Sequence, residues 1–215
     1  MAVILNSVTA VQMLEAAARI MAENRTALIE LDSVIGDGDL GITMEKGFAA
    51  ASETAKGLLA EAPGSVFMKA GMAMAKAAPS TMGTLMATGL MRGGKAVAGK
   101  EELSVPDMKA FLSAFLLGVM DRGKAKPGEK TLVDILVPAV TEMESYAGDD
   151  AAEIWKKALE GAAQGLESAK ALESQHGKAA VFREKTRGLE DPGGRAAYLL
   201  IKSFAGVFES AQKEI

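Results

Sequence analysis

Three aspartates in one short segment are the residues best suited to chemistry. Asp37 and Asp39 flank Gly38, so in an extended turn both carboxylates can face one side, and Asp32 can join them if the chain folds back. Three carboxylates are hard oxygen ligands that suit Mg²⁺ or Ca²⁺. An EF-hand is excluded because, counting from Asp37, the sixth residue is Ile42 and no glutamate is twelfth. The cluster therefore fits Mg²⁺ with waters and phosphates, and helix capping or Asx turns by the same aspartates are an equal alternative.

Two glycine-rich stretches look like nucleotide-binding motifs but differ from them in decisive positions. Residues 36–41 match the dinucleotide fingerprint G-x-G-x-x-G, yet Asp37 and Asp39 would repel a pyrophosphate there unless a cation intervened. The chain also lacks the alternating strand and helix patterns of that fold. Residues 89–96 nearly match a P-loop, but Ala96 replaces the hydroxyl residue that holds Mg²⁺. This second stretch is better interpreted as a helix end with a glycine C-cap.

Three further segments carry groups that could receive a phosphate. Ser80, Thr81 and Gly83 precede an expected helix, where hydroxyls and backbone N–H groups can bind an anion, although ordinary N-capping explains them as well. Lys130 and Thr131 have the same two interpretations. The third segment, residues 178–195, is long for a compact bundle, which favours a lid over a phosphorylated ligand rather than a solvated loop. Its basic residues are Lys178, Arg183, Lys185, Arg187 and Arg195.

The elements that must position these segments are predicted to be helices. Only 5% of residues are aromatic, whereas alanine, methionine and leucine abound. Apolar residues recur at three- and four-residue steps over residues 11–28, with Thr9 as the expected N-cap, and Ser104 with Asp107 has the form of a capping box. Further helices are expected at residues 42–59, 66–77, 82–97, 131–146, 149–172 and 194–213. The chain is predicted to be all-α, one domain over residues 1–215 with about eight helices, and its methionines at 68, 72, 74, 82, 86 and 91 are expected to fill the core.

The composition excludes several classes of protein. With no cysteine and one histidine, His176, the chain cannot hold disulfides, Cys-ligated zinc or Fe–S clusters, and a Ser-His-Asp triad is disfavoured. A net charge of −4 gives no general attraction to nucleic acid or anionic lipid. Residues 1–8 do not have the pattern of a signal peptide, and the apolar run at 111–120 is too short to span a bilayer. A cytoplasmic protein without nucleic-acid or membrane partners is expected.

The loop motifs together resemble a known family. The chain resembles the nucleotide-binding L subunit of dihydroxyacetone kinases, the DhaL or DAK2-type family, through pieces that occur in family order over nearly the whole sequence. Each piece is weak alone, and the set is specific. The pieces are Leu31-Asp32, residues 36–39, Gly41, Gly47-Phe48, Gly71-Met72, residues 122–125, Pro127-Gly128, Lys130-Thr131, Asp134, residues 177–179, Glu184 and residues 191–193.

The resemblance implies an antiparallel eight-helix barrel that holds ADP or ATP in loops at one end. Asp32, Asp37 and Asp39 would be the catalytic metal ligands, because Mg²⁺ bound to them would bridge to the nucleotide phosphates and remove the repulsion noted above. The residues that would surround the nucleotide are Leu40, Gly41, Thr43, Ser80, Thr81, Met82, Gly83, Gly123, Leu132, Lys178, Asp191, Pro192 and Gly193.

The activity implied by the resemblance is phosphoryl transfer to a small ketose, either dihydroxyacetone or a related triose or tetrulose. A histidine of a separate K-type subunit would hold this ketose, and either ATP or a phosphotransferase-system phosphocarrier subunit would supply the phosphoryl group. A homodimer or hetero-oligomer is expected.

Departures from the family pattern leave other functions open. Leu40 stands where the family usually has histidine, Thr43 replaces asparagine, Lys178 replaces arginine, and residues 80–83 replace Gly-Ala-Ser-Gly. One alternative is therefore a non-catalytic nucleotide-binding regulatory module. An enzyme acting on isoprenoid diphosphates would need a second Asp-rich site, and the pair at positions 149 and 150, near an expected helix start, is a poor candidate.

Overall fold

Helices account for the architecture throughout the part of the chain that is described. The computed structural model describes residues 5–213. Residues 1–4 and 214–215 of the expected domain lie outside the described residues. In this range only an isolated bridge between Leu5 and Leu103 has strand-like pairing. The all-α prediction is confirmed. The helices are α1 (Ser7–Glu23), α2 (Arg25–Ile35), α3 (Leu40–Lys56), α4 (Pro63–Ala77), α5 (Thr81–Ala96), α6 (Val105–Gly123), α7 (Val133–Ser145), α8 (Ala151–Ser168) and α9 (Pro192–Lys213).

Eight of these helices form a closed ring, which confirms the predicted eight-helix barrel. From α3 to α9 each helix packs against the next along the chain, α9 packs against α1, and α1 packs against α3. Consecutive helices joined by short connections run antiparallel. The remaining helix, α2, connects α1 to α3 and contacts α1, α3 and α9 from outside the ring.

The first predicted helix is divided in two, and its N-cap was assigned wrongly. Asn24 interrupts the helical pattern, because its side-chain amide donates a hydrogen bond to the Ile20 carbonyl oxygen at 2.8 Å and ends α1 there. The N-cap of α1 is Asn6, not Thr9: the Asn6 side chain accepts the Thr9 N–H at 3.1 Å. Asn is as good an N-cap as Ser or Asp, so the helix begins one turn earlier than expected.

The remaining helix boundaries follow the prediction within a few residues, with one exception in the core. The capping box of α6 is present, since the Asp107 carboxylate accepts the Ser104 N–H at 3.0 Å. Met74 and Met86 are buried as expected, but Met72 is 63% exposed and does not fill the core. Its place in α4 falls on the outer side of the helix, which the one-dimensional methionine pattern did not reveal.

Aromatic side chains fill the interior of the barrel. The Phe67 ring in α4 lies 4.5 Å from the Phe111 ring in α6 and 6.4 Å from the Phe204 ring in α9. Phe204 also meets Trp155 of α8 edge to face at 5.5 Å. Because α4 and α9 are not neighbours in the ring, these contacts cross its centre and tie distant helices together.

Close approach of α4 and α5 depends on two glycines that face each other. A Cβ at Gly64 would lie 2.6 Å from the Gly94 carbonyl oxygen, and a Cβ at Gly94 would lie 2.5 Å from the Gly64 carbonyl oxygen. Any side chain at either position would push the two helices apart.

Four connections meet at one end of the ring, and they are the ones that carry the sequence motifs. They join α2 to α3, α4 to α5, α6 to α7 and α8 to α9. The last is the longest and contains three short 3₁₀ turns, Ala169–Ala171, Lys178–Val181 and Arg183–Thr186. No helix in residues 5–213 has the length and apolar character needed to cross a membrane.

Candidate functional site

A cavity of about 430 Å³ opens at the end of the ring where the four motif-bearing connections meet. It is lined by those connections and by the adjoining helix ends. Most of the residues predicted to form a site contribute to its wall. They are Asp32, Asp37, Asp39, Leu40, Ser80, Thr81, Met82, Leu132, Lys178, Asp191, Pro192 and Gly193.

The turn between α2 and α3 brings the three aspartates together. Asp32 lies in the last turn of α2, and its carboxylate accepts the N–H groups of Asp39 at 3.1 Å and Leu40 at 3.3 Å, at the start of α3. Gly38 has a φ of +72°, a conformation that glycine adopts without strain. One carboxylate oxygen from each of Asp32, Asp37 and Asp39 lies within 4.8 Å of the others. Asp32 therefore both supports the start of α3 and belongs to an acidic cluster.

The electrostatics of this cluster favour a cation. Burial raises the pKa of the Asp32 carboxyl, backbone N–H donors oppose this rise, and the nearby Asp37 and Asp39 charges add to it. Asp37 is exposed, and its hydrogen bond with the Lys178 ammonium lowers the pKa of its carboxyl and raises that of the lysine. One lysine does not balance three carboxylates, so negative charge remains for a further cation.

The donor set fits Mg²⁺. Octahedral Mg²⁺ binds oxygens at about 2.1 Å, so two of its ligands lie roughly 3 to 4 Å apart, which small side-chain rotations would reach from the observed spacing. Carboxylates without nitrogen or sulfur ligands are typical of such hard cations.

The N-terminus of α5 also contributes to the cavity wall. The Ser80 hydroxyl accepts the Gly83 N–H at 3.1 Å, so Ser80 is an ordinary N-cap, as the alternative interpretation held. Thr81 and Met82 nevertheless line the cavity, and backbone N–H groups in a first helical turn have no partner within the helix. A helix N-terminus attracts anions, so this wall suits a phosphate group.

A second helix N-terminus, that of α9, forms another part of the wall. The Asp191 carboxylate accepts the Gly194 N–H at 2.6 Å, and Pro192 occupies the first helical position. Asp191 is only 8% exposed, and this burial raises the pKa of its carboxyl to about 7. Asp191 is thus a buried carboxyl close to its point of protonation at neutral pH.

Asp134 shapes the connection between α6 and α7. Its carboxylate accepts the N–H groups of Gly128 at 2.6 Å and Thr131 at 2.8 Å, which folds the loop back against the start of α7. The loop thereby presents Lys130, Thr131 and Leu132 to the cavity.

Four of the predicted residues do not line the cavity. Gly41 packs against α2, where a Cβ would lie 2.2 Å from the Arg25 carbonyl oxygen, and Gly83 packs against the Ala78 carbonyl oxygen in the same way. Thr43 lies in the first turn of α3, where its N–H donates to the Asp39 carbonyl oxygen. Gly123 ends α6 beside the Leu85 side chain, which itself lines the cavity.

Sequence reasoning did not include several cavity residues in the site. Lys130 and Thr131 are possible phosphate ligands by sequence, but capping explains them as well. The other cavity residues outside the predicted set are Ile35, Gly36, Leu85, His176, Gly177 and Ala179. Gly36, Gly177 and Ala179 stand within the family motifs, and His176 is the one histidine, but only the folding of the loops brings them to the wall. No sequence signal marks Ile35 or Leu85.

Comparison with known proteins identifies the family. Residues 34–206 match the model of the DAK2 domain. The chain belongs to the DAK2 domain family. This match covers the four connections that form the cavity and most of the helices that support them.

Curated relatives of this DAK2 chain fall into two sizes. It is 32% identical over 182 residues to the ADP-binding subunit DhaL of the PEP-dependent dihydroxyacetone kinase 1 of Listeria innocua, covering 83% of this chain and 85% of that one. It is 31% identical over 202 residues to the L-erythrulose kinase of Pectobacterium atrosepticum, covering 92% of this chain. The chain spans only 34% of that kinase's length.

A solved structure shares the fold of this DAK2 chain. The dihydroxyacetone kinase from C. freundii, in complex with AMP-PNP and Mg²⁺, superimposes with a TM-score of 0.67 at 20% identity. The match covers 96% of this chain and 34% of that kinase. The eight-helix ring is therefore a fold that a known kinase also contains.

Proposed function

We propose that this chain, as one DhaL-like domain over residues 1–215, is the Mg²⁺-nucleotide subunit of a dihydroxyacetone-type kinase. It would transfer a phosphoryl group to a small ketose held on a separate K-type subunit. The observation that carries the proposal is the cavity itself, in which a three-carboxylate cluster faces two helix N-termini and the Lys178 ammonium.

The cavity suits a nucleotide in size and in the distribution of its polar groups. Its volume of about 430 Å³ lies within the range of about 300–1,000 Å³ found for small-molecule sites. Leu40, Met82, Leu85 and Leu132 provide an apolar surface for the base, and the aspartate cluster lies where phosphates would end. The DhaL relative from Listeria innocua is named an ADP-binding subunit, which supports ADP or ATP as the nucleotide.

Asp32, Asp37 and Asp39 would hold the metal, and the match to a kinase bound to AMP-PNP and Mg²⁺ supports Mg²⁺ in that role. When bound, Mg²⁺ would neutralise phosphate charge. The N–H groups at the start of α5 would bind phosphate oxygens, and Lys178 would add positive charge from the connection between α8 and α9. Positioning and charge neutralisation supply most of the catalysis in phosphoryl transfer, so this domain would act mainly by holding the metal and the phosphates in place.

The K-type partner and the substrate are supported by the relatives. The chain covers 85% of the Listeria innocua DhaL protein, which is named as a subunit of its kinase, and this supports a K-type partner. A relative that acts on a tetrulose supports L-erythrulose beside dihydroxyacetone as a candidate ketose. The name PEP-dependent supports a phosphotransferase-system phosphocarrier as one phosphoryl donor, with ATP as the other. Such a complex would be cytoplasmic.

A transfer assay tests the proposed activity. The purified chain, a K-type subunit, Mg²⁺ and ATP are mixed with dihydroxyacetone or L-erythrulose, and in parallel ATP is replaced by ADP with a phosphorylated phosphocarrier. We expect phosphorylated ketose from one donor and none when Mg²⁺ is chelated.

Leu40, buried where the family usually has a histidine, is the observation that favours a regulatory module instead. Binding of Mg²⁺-ADP without transfer to any ketose would overturn the kinase assignment in favour of that alternative.

A further inference from the structure

Lys130 is a buried lysine for which the proposed chemistry has no use. Its side chain is only 1% exposed, in the connection between α6 and α7, and its backbone φ is +54°. Lysine is almost never fully buried unless its ammonium is paired. Burial also lowers the pKa of Lys130, with the nearby Asp191 charge opposing that effect. Burying an ammonium group costs free energy, so the position of Lys130 needs a structural or functional reason.

The ammonium of Lys130 is satisfied by three main-chain carbonyl oxygens. It donates to the carbonyl oxygens of Lys170 at 3.3 Å and Leu172 at 3.1 Å, and also to that of Thr186. An ammonium has three N–H donors, so the set is complete. Lys170 and Leu172 lie just after α8, whereas Thr186 lies shortly before α9. The side chain therefore joins the two ends of residues 170–188, here called the lid segment.

Other contacts close the base of the lid segment around the same point. The Gly188 N–H donates to the Lys170 carbonyl oxygen at 2.8 Å, and the Ser174 N–H donates to the buried Thr186 hydroxyl at 2.9 Å. That hydroxyl in turn donates to the Arg183 carbonyl oxygen at 2.6 Å. The base of the lid segment is thus held by a network of hydrogen bonds, and those of the Lys130 ammonium are part of it.

A second tie links the lid segment to the same connection from the cavity side. The Gln175 N–H donates to the Glu129 carbonyl oxygen at 3.1 Å, and the Glu129 carboxylate lies 2.6 Å from Nε2 of His176. The next residues, Gly177 and Lys178, line the cavity, and Lys178 contacts Asp37. The place of Lys178 over the aspartate cluster therefore follows from how the base of the lid segment is held.

We propose that Lys130 is a positioning residue that fixes both ends of the lid segment and so keeps Lys178 beside the aspartate cluster. It acts through the lid backbone and not by contact with the ligand. The inference rests on the proposed function only in taking Mg²⁺-ADP as the ligand that the lid segment covers.

Hydrogen exchange of backbone amides tests this role without any ligand. Lys130→Met removes the ammonium but keeps most of the apolar stem, and Lys126→Met, at an exposed lysine of the same connection, is the matched control. Loss of a buried charged hydrogen-bond donor is expected to speed exchange of the Gln175 and Gly188 amides by about tenfold or more. In Lys130→Met the amides of α4 should keep their wild-type exchange rates. In the control variant Lys126→Met the Gln175 and Gly188 amides should keep theirs as well. Lid exchange at the wild-type rate in Lys130→Met would overturn the proposal.

A double-mutant cycle on the Mg²⁺-ADP dissociation constant separates positioning from general destabilisation. Lys178→Met is expected to weaken binding in the wild-type background but to have little further effect in the Lys130→Met background, because Lys178 is already displaced there. Additive effects of the two substitutions would contradict the proposal. If the wild-type chain does not bind Mg²⁺-ADP, the proposed function fails, and the exchange rates still decide the role of Lys130.

A milder substitution guards against loss of folding. If Lys130→Met shows no cooperative unfolding transition, Lys130→Gln keeps an NH₂ donor and should show the same amides exchanging faster than in wild type, by a smaller factor. Unchanged lid exchange in Lys130→Gln would then overturn the proposal.

Discussion

At the scale of single residues, the candidate site combines charged groups that individually have ordinary structural roles. Asp32 accepts N–H groups at the start of α3, and Asp191 accepts an N–H group at the start of α9. Both face the same cavity, so each helix start is also a part of the site. The capping and ligand-binding interpretations of these residues therefore do not exclude each other.

Asp191→Asn should change the pH dependence of stability. With a folded-state pKa of about 7, Asp191 keeps its proton between about pH 4 and 7 while the unfolded chain has lost it, so its contribution to stability falls as pH rises through this window. Asparagine does not titrate and can still accept the Gly194 N–H. Relative to wild type, the variant should therefore gain stability from pH 4 to pH 7, by on the order of 1 kcal/mol per pH unit.

Urea unfolding of both proteins at several pH values, without divalent cations, measures this difference. Parallel pH profiles for the two proteins would show that Asp191 titrates near its ordinary value in the folded chain, and that its burial has no such electrostatic consequence.

At the scale of elements, the site depends on helix starts, and most of these are visible in the sequence. The capping box at Ser104 and the cap at Ser80 followed from residue type and spacing alone. The break at Asn24 did not, because apolar spacing continues across it, while the Asn24 side chain and backbone N–H both donate to the Ile20 carbonyl oxygen where α1 ends. Local chemistry thus predicted these two helix starts, whereas it misplaced the start of α1 and did not predict the interruption within an apolar pattern.

Ser80→Ala and Ser104→Ala form a matched pair that separates stability from binding. Each removes an N-cap hydroxyl and should cost about 1 kcal/mol of unfolding free energy. Only Ser80 lines the cavity, whereas Ser104 begins α6 at the opposite end of the ring. Calorimetric titration should therefore show weaker Mg²⁺-ADP binding for Ser80→Ala alone. Equal affinity in both variants would mean that the start of α5 does not contact the phosphates.

At the scale of the whole molecule, ring closure brings residues far apart in sequence to one cavity. The fold class and the end of the barrel that carries the motifs could be predicted, because helical periodicity and the resemblance both report on them. The roles of Lys130 and His176 could not, since their partners Thr186 and Glu129 are about fifty residues away and no local pattern encodes such pairs.

Phe204→Ala should weaken the ring as a unit. The Phe204 ring contacts Phe67 of α4 and Trp155 of α8, so truncation leaves a cavity among helices that are not all neighbours. A loss of roughly 3 to 5 kcal/mol in the free energy of unfolding is expected. Phe182→Ala, at a ring that is 41% exposed, is the control and should change stability by less than about 0.5 kcal/mol. A similar small loss for both variants in denaturant titrations would contradict a continuous aromatic core.

We propose above all that the aspartate cluster recruits the nucleotide through a divalent cation. Isothermal titration of Mg²⁺-ADP into the wild type, Asp37→Ala and Asp149→Ala tests it most directly, since Asp149 is an exposed aspartate beyond the opposite end of the ring. We predict saturable binding to the wild type and to Asp149→Ala that disappears when Mg²⁺ is chelated. Asp37→Ala should bind Mg²⁺-ADP more weakly than the wild type by about a hundredfold or more. Wild-type affinity in a folded Asp37→Ala protein would contradict the account.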